Sequence, residues 1–230
     1  MTDKTSINII ILNTYNEFYS IACITKNNSF FEKKYPISKN NKNYILFTID
    51  YVLKKSKLIF SDINLITFGL GSVRTTGFRI CISVIQGLTF YKKTPVLGIS
   101  IFRALAQKLW RITNKKNIIV VIVNKKNRIS WEEYEFNQNK NFLFLKDNKY
   151  DSNIQSLIYT LSISSKKFAI SVSNFDIYVL LKCSLKKYNK IFYYKIFDIC
   201  IKDIISISYY FFYKKKYCTS DKILSYYKII

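Results

Sequence analysis

Histidine is absent from this 230-residue chain. That removes the commonest general acid/base, the usual base of a nucleophile triad and the usual metal ligand together. Glycine is nearly as scarce: Gly69, Gly71, Gly77, Gly87 and Gly98 are the whole complement, and all fall within residues 65–106. Proline occurs only at positions 36 and 95. No two of the five cysteines form a C-x-x-C pair and most sit in apolar runs, which argues for reduced, buried thiols and against a zinc site. The opening residues lack the apolar core of a signal peptide, and residues 204–213 form an apolar run too short to span a bilayer. A soluble, cytoplasmic protein without a membrane partner is the expectation.

Present in abundance are apolar residues (49%) against 22% charged, a globular balance. Lys and Arg outnumber Asp and Glu 37 to 14, for a net charge of +23, which suits an anionic partner such as RNA. Only Arg74, Arg79, Arg103, Arg111 and Arg128 are arginines, so a compositional bias toward Lys, Ile, Asn, Phe and Tyr explains the charge equally well.

Along the chain, residues 7–12 form an apolar run suited to a buried strand, ending in the turn-rich Asn13-Thr14-Tyr15-Asn16. Strands over 19–25 and 29–35, split by Lys26-Asn27-Asn28, complete a three-strand meander. Pro36 and Ser38 announce a helix in which Ile45, Ile49, Val52 and Leu53 recur at helical spacing, to about residue 57. A strand at 65–68, a glycine-rich turn, a helix over 76–91 and a strand at 95–99 make a βαβ unit. Ser100 can cap a helix running through Trp110. After a polar boundary at 114–117, strands at 118–123, 129–136 and 141–145 repeat the opening, followed by a strand at 168–172; beyond Leu180 there is more helix than strand. The expectation is an α/β protein of two ribonuclease-H-like domains, over 1–113 and 114–230, the second degenerate.

The central window resembles the TsaB (YeaZ) family of tRNA threonylcarbamoyladenosine biosynthesis subunits, which carry the actin-like ATPase superfold. The family motif G-x-G-P-G-S-F-T-G-x-R-I-G stands here as Gly69-Leu70-Gly71-Ser72-Val73-Arg74-Thr75-Thr76-Gly77-Phe78-Arg79-Ile80-Cys81. Gln86-Gly87-Leu88, Pro95-Val96-Leu97-Gly98-Ile99-Ser100 and Ala104-Leu105-Ala106-Gln107 follow in register. The resemblance covers roughly the first 135 residues. Two departures stand out: the Pro-Gly-Ser-Phe core of the loop is Ser72-Val73-Arg74-Thr75, and the first-strand Asp is Asn13. A carboxylate after that strand helps hold nucleotide magnesium in active enzymes of the superfold, and Asn13 cannot supply the charge.

The resemblance implies a non-catalytic scaffold that binds and activates a catalytic TsaD-type paralogue. That partner transfers threonylcarbamoyl to the adenosine beside the anticodon. A TsaE-type ATPase joins the pair, and tRNA is met indirectly through the complex. No catalytic, metal or cofactor residue is expected in this chain. The family docks through first-domain helices, which points to Asn41, Ile45, Thr48, Ile49, Val52, Phe78, Ile82, Ile85 and Gln86 as partner-binding residues. Periodicity alone reads the same stripes as core, and does not separate the two.

Gly69, Gly71 and Gly77 serve either a phosphate cradle or a tight strand-to-helix turn; the Lys-Ser/Thr pair of a Walker loop is missing. Arg79 either reaches an anion or anchors the loop. The lysine runs are solvated faces or attract tRNA phosphates. Self-association of the isolated chain stays open. Two other functions compete: an active ATP-dependent enzyme of the same superfold and a stand-alone basic RNA-binding protein.

Overall fold

A computed structural model describes residues 7–13, 18–36, 44–70, 76–124, 128–186, 191–194, 199–219 and 222–223. Two compact units emerge, one comprising Met1–Ile101 with Ile204–Ile230, the other Phe102–Asp203.

In the first unit, β1 (Ile9–Asn13) is buried along its whole length, as a central strand covered on both faces must be. It pairs antiparallel with β2 (Phe18–Ile24), which pairs antiparallel with β3 (Phe30–Pro36). Helix α1 (Tyr44–Lys55) and a short 3₁₀ turn (Phe60–Asp62) lead to β4 (Leu65–Leu70), which lies parallel to β1. Helix α2 (Thr76–Thr89) then crosses to β5 (Val96–Ser100), parallel to β4. The sheet order is β3-β2-β1-β4-β5.

Asn8, just ahead of β1, pins three segments of this unit. Its Oδ1 accepts from Lys26 N in the β2–β3 turn at 2.7 Å, and its Nδ2 donates to Asp62 O at 2.9 Å. Its own N–H donates to Asn64 Oδ1 at 2.9 Å. The side chain is 6% exposed, so each polar atom needs such a partner.

Helix α3 (Ile101–Thr113) precedes the second sheet. There β6 (Asn117–Val123), β7 (Ile129–Asn137) and β8 (Phe142–Ser152) form an antiparallel meander. Helix α4 (Ile154–Ile163) leads to β9 (Phe168–Val172), parallel to β6, and α5 (Phe175–Ser184) to β10 (Ile191–Tyr194), parallel to β9. Helix α6 (Ile201–Tyr213) follows. Read from β8, the order β8-β7-β6-β9-β10 repeats the first sheet strand for strand, with α4 and α5 in the places of α1 and α2. The expected duplicated ribonuclease-H-like arrangement is borne out, and the second copy keeps the full five-strand order.

Two elements run differently from the sequence expectation. β8 continues through Ser152 rather than ending near Leu145, because Lys146, Asp147 and Lys149 are charges on an exposed edge strand rather than loop residues. The late chain adds the short strand β10 between its helices.

Asparagine and lysine take positions that glycine commonly fills. Positive φ occurs among the described residues at Asn28, Lys57, Asn114, Asn141, Asp151 and Lys215, and at no glycine. Lys57, Asn114 and Lys215 follow the ends of α1, α3 and α6, where a left-handed residue closes a helix. Asparagine also caps helix starts: Asn174 Oδ1 accepts from Asp176 N at 2.8 Å and Ile177 N at 3.1 Å.

Candidate functional site

Helices α1 and α2 pack on one face of the first sheet. Ile45, Ile49, Val52 and Leu53 from α1, and Phe78, Cys81, Ile82 and Ile85 from α2, share one core with Ile10, Leu12, Ile21, Ile66 and Phe68. Thr48 is buried as well, its hydroxyl donating to Tyr44 O at 2.6 Å. Gln86 is exposed, and Asn41 lies outside the described residues. The stripes read from periodicity are thus brought together in the monomer's own core. Their outward neighbours form the exposed surface of these helices.

Those neighbours are apolar too. On α1, Phe47 is 71% exposed, and Leu46 and Tyr51 are exposed. On α2, Ile80, Val84 and Leu88 are half-buried, and Phe90 and Tyr91 just beyond it are exposed. Near α1, Lys33 Nζ sits 5.4 Å from the Tyr35 ring centre and 5.5 Å from that of Tyr51. The sequence signal for this outer surface was an apolar surplus beyond one helical stripe.

The second candidate feature is the strand end where β1 and β4 finish side by side. Asn13 closes β1 and is 6% exposed. A Cβ added at Gly69 would come to 2.9 Å from Asn13 Oδ1, so that glycine makes room for the amide. On the next strand, a Cβ at Gly98 would meet three atoms of Leu70 at 2.8–2.9 Å. At these two positions glycine supplies space rather than a left-handed backbone. Gly71 and Ser72 to Thr75 lie outside the described residues, whereas Gly77 and Arg79 fall in the first turn of α2, Arg79 exposed.

Ser20, opposite Asn13 in the ladder, donates to Glu32 Oε1 at 2.6 Å. Glu32 therefore approaches this corner from β3 while also pairing with Lys34 at 3.3 Å. Linear reading missed that carboxylate, since it lies 19 positions from Asn13 and only strand pairing brings it close. In the second unit, Asn124 follows β6 as Asn13 closes β1, and its Nδ2 donates to Ser130 Oγ at 2.8 Å. No group of three His, Cys, Asp or Glu side chains that could hold a metal ion occurs among the described residues.

Burial pushes the Cys81 thiol up to about 12. It also raises the Tyr19 hydroxyl, helped by the neighbouring Cys81. Both stay protonated and behave as core. No helix of the described residues is long and apolar enough to cross a membrane.

No family model matches the chain. TsaB of Buchnera aphidicola subsp. Schizaphis graminum, named a tRNA threonylcarbamoyladenosine biosynthesis protein, is 38% identical over 104 residues, covering 44% of this chain and 50% of that protein. Escherichia coli TsaB, of the same name, is 30% identical over 95 residues, 41% of each. The chain thus spans about half the length of such relatives or less. Among solved structures, YeaZ from Pseudomonas aeruginosa superposes with a TM-score of 0.70 at 17% identity, covering 94% of this chain and 97% of that one. A ROK family protein from Streptococcus pneumoniae gives 0.50 at 9% identity, over 91% and 100%. The chain is thus similar in sequence to several TsaB proteins, over less than half of its length in each of these matches, and similar in fold to YeaZ.

Proposed function

We propose that this chain works in tRNA threonylcarbamoyladenosine biosynthesis as a non-catalytic subunit, holding and activating a TsaD-type paralogue through the outer face of α1 and α2. The paralogue moves the threonylcarbamoyl group, and a TsaE-type ATPase docks on the assembled pair. The observation that carries this reading is that α1 is apolar on both sides. Ile45, Ile49 and Val52 fill the core, while Leu46, Phe47 and Tyr51 stand exposed on the other. Large apolar groups left on a helix surface are the anchors that carry binding energy at protein interfaces.

Two amides support the non-catalytic assignment. Asn13 ends the first strand of one unit and Asn124 follows the first strand of the other. Neither supplies the charge of the carboxylate that active members of the superfold place after the first strand. Their chemistry suits holding backbone and hydroxyl groups, as Asn124 does with Ser130.

Co-purification of the full chain with its catalytic paralogue tests the reading. The double variant Leu46→Asp, Phe47→Asp is expected to weaken the complex by about 30-fold or more, the scale of a lost interface anchor. Its circular dichroism and melting temperature should match those of the parent. Undiminished binding by the folded variant sinks the assignment. So does magnesium-dependent nucleotide turnover by the purified chain.

A further inference from the structure

We infer that the cavity beside the β7–β8 turn of the second unit binds single-stranded RNA directly, seating one base against Phe144 and its flanking phosphates on Lys116, Lys140 and Lys146. This goes beyond the scaffold reading, which gives the chain no RNA contact of its own.

The cavity holds about 590 Å³ and is lined by Lys116, Glu135, Phe136, Lys140, Phe144 and Lys146, together with the amide residues of the turn. That volume falls in the range of specific small-ligand sites, ~300–1,000 Å³. Glu135 organises it. One carboxylate oxygen accepts from Lys116 Nζ at 3.0 Å and the other from Lys146 Nζ at 3.0 Å. Those two lysines hold the carboxyl below its ordinary range, so it remains an anion that fixes both ammonium groups. The lysine side chains are 66% and 50% exposed, and each ammonium has three donors, leaving donors for a phosphate.

The third ammonium, Lys140 Nζ, lies 5.1 Å from the Phe144 ring centre. Three cations against one carboxylate leave the cavity net positive. Phe144 is braced edge-on by Phe142 at 5.6 Å, and Phe136 is stacked on Trp110 at 4.4 Å and 18°. Rigid aromatic faces interleaved with lysines form the stacking-plus-phosphate pattern of single-strand binding sites. Asn137, Gln138 and Asn139 add amide donors and acceptors for base edges. An acidic peptide would use the lysines but has no need of the ring, and a free nucleotide would gain little from three spaced cations. The chain's charge of +23 favours a polyanion over both.

The experiment uses the full-length chain and a short labelled single-stranded RNA, with affinity followed by fluorescence anisotropy across a salt series. Lys116→Gln, Lys140→Gln and Lys146→Gln together should lower affinity roughly 10- to 100-fold at about 0.1 M salt and flatten the log–log salt slope by about 2. Phe144→Ala should lose roughly 10-fold while leaving that slope unchanged, the signature of a lost stack. Lys149→Gln, Lys182→Gln and Lys202→Gln together remove the same charge outside the cavity and should change affinity far less. An equal loss from that control means diffuse charge alone and overturns the proposal. Competition by polyglutamate or adenosine monophosphate at concentrations matching the RNA overturns it in favour of an acidic protein or a free nucleotide. A failure here leaves the α1 variants' effect on the paralogue intact, so the two readings fail separately.

Discussion

Arg111 and Asp203 form a two-pronged pair inside the second unit: Arg111 Nε reaches Asp203 Oδ1 at 2.8 Å and Nη2 reaches Oδ2 at 3.0 Å. The carboxylate is 1% exposed and the guanidinium side chain 47%. A buried anion is tolerable only with such a partner, and the planar fork of Arg matches both oxygens at once. The hydrogen bond to Asp203 raises the Arg111 pKa, with burial opposing it more weakly. Asp203 also sits in the first turn of α6, where the helix dipole favours negative charge.

Removing the guanidinium should therefore cost more than removing both charges. Arg111→Ala is expected to destabilise the chain by about 3 kcal/mol, by stranding a buried carboxylate. Arg111→Met with Asp203→Leu should cost less than that single change. Urea unfolding of the parent and the two variants decides this; equal losses would mean the pair is worth little.

Thr67 offers the opposite case. It lies in β4 with no exposure, and its buried hydroxyl has no hydrogen-bond partner among the described residues. Thr67→Val keeps the shape and removes an unsatisfied polar atom, so a gain of about 1 kcal/mol is expected. Thermal and chemical melts read it directly, and a loss would show that the hydroxyl is satisfied in solution.

Left-handed lysines carry a backbone cost. Lys57 at φ 56° and Lys215 at φ 53° end α1 and α6 in a conformation that disfavours a Cβ by roughly 1–2 kcal/mol. Lys57→Gly and Lys215→Gly should each stabilise by about 0.5–1 kcal/mol, the extra flexibility of unfolded glycine offsetting part of the relief. Additivity in the double variant is the further check, since the two helix ends are independent closures.

Alkaline pH should weaken the fold in a defined window. Burial raises the Cys81 thiol to about 12 from 9.0. It raises the Tyr193 hydroxyl to about 12 from 10.0, with Tyr178 adding to the shift. Between about pH 9 and about pH 12 the folded state binds more protons than the unfolded one, so stability falls as pH rises. Below pH 9 these two groups contribute no slope. Unfolding midpoints across the window test the sign, and thiol labelling at neutral pH should modify exposed Cys183 while Cys23 and Cys81 stay protected.

Much of the fold was legible in linear sequence, because local signals carry it. The run at 7–12 announces β1, the Lys26-Asn27-Asn28 break announces the hairpin, and the helical spacing of Ile45, Ile49 and Val52 marks α1. The repeat of strand, turn and two strands after residue 117 appears as β6, β7 and β8. The candidate site was legible only in part. Periodicity found the α1 and α2 stripes but could not tell core from surface, since a helix apolar on two sides shows both at the same spacing.

Sequence alone determined the absence of histidine, the amide at Asn13, the concentration of glycine near β4 and the charge of +23, since each is a property of residue identity. Tertiary structure decided which apolar face of α1 is buried and which positions take the left-handed backbone. It also placed Cys218 antiparallel to Val96 at the edge of the first sheet, and set Glu135 between Lys116 and Lys146. These are pairings across long stretches of chain. They depend on which strands become neighbours, and no local pattern encodes that.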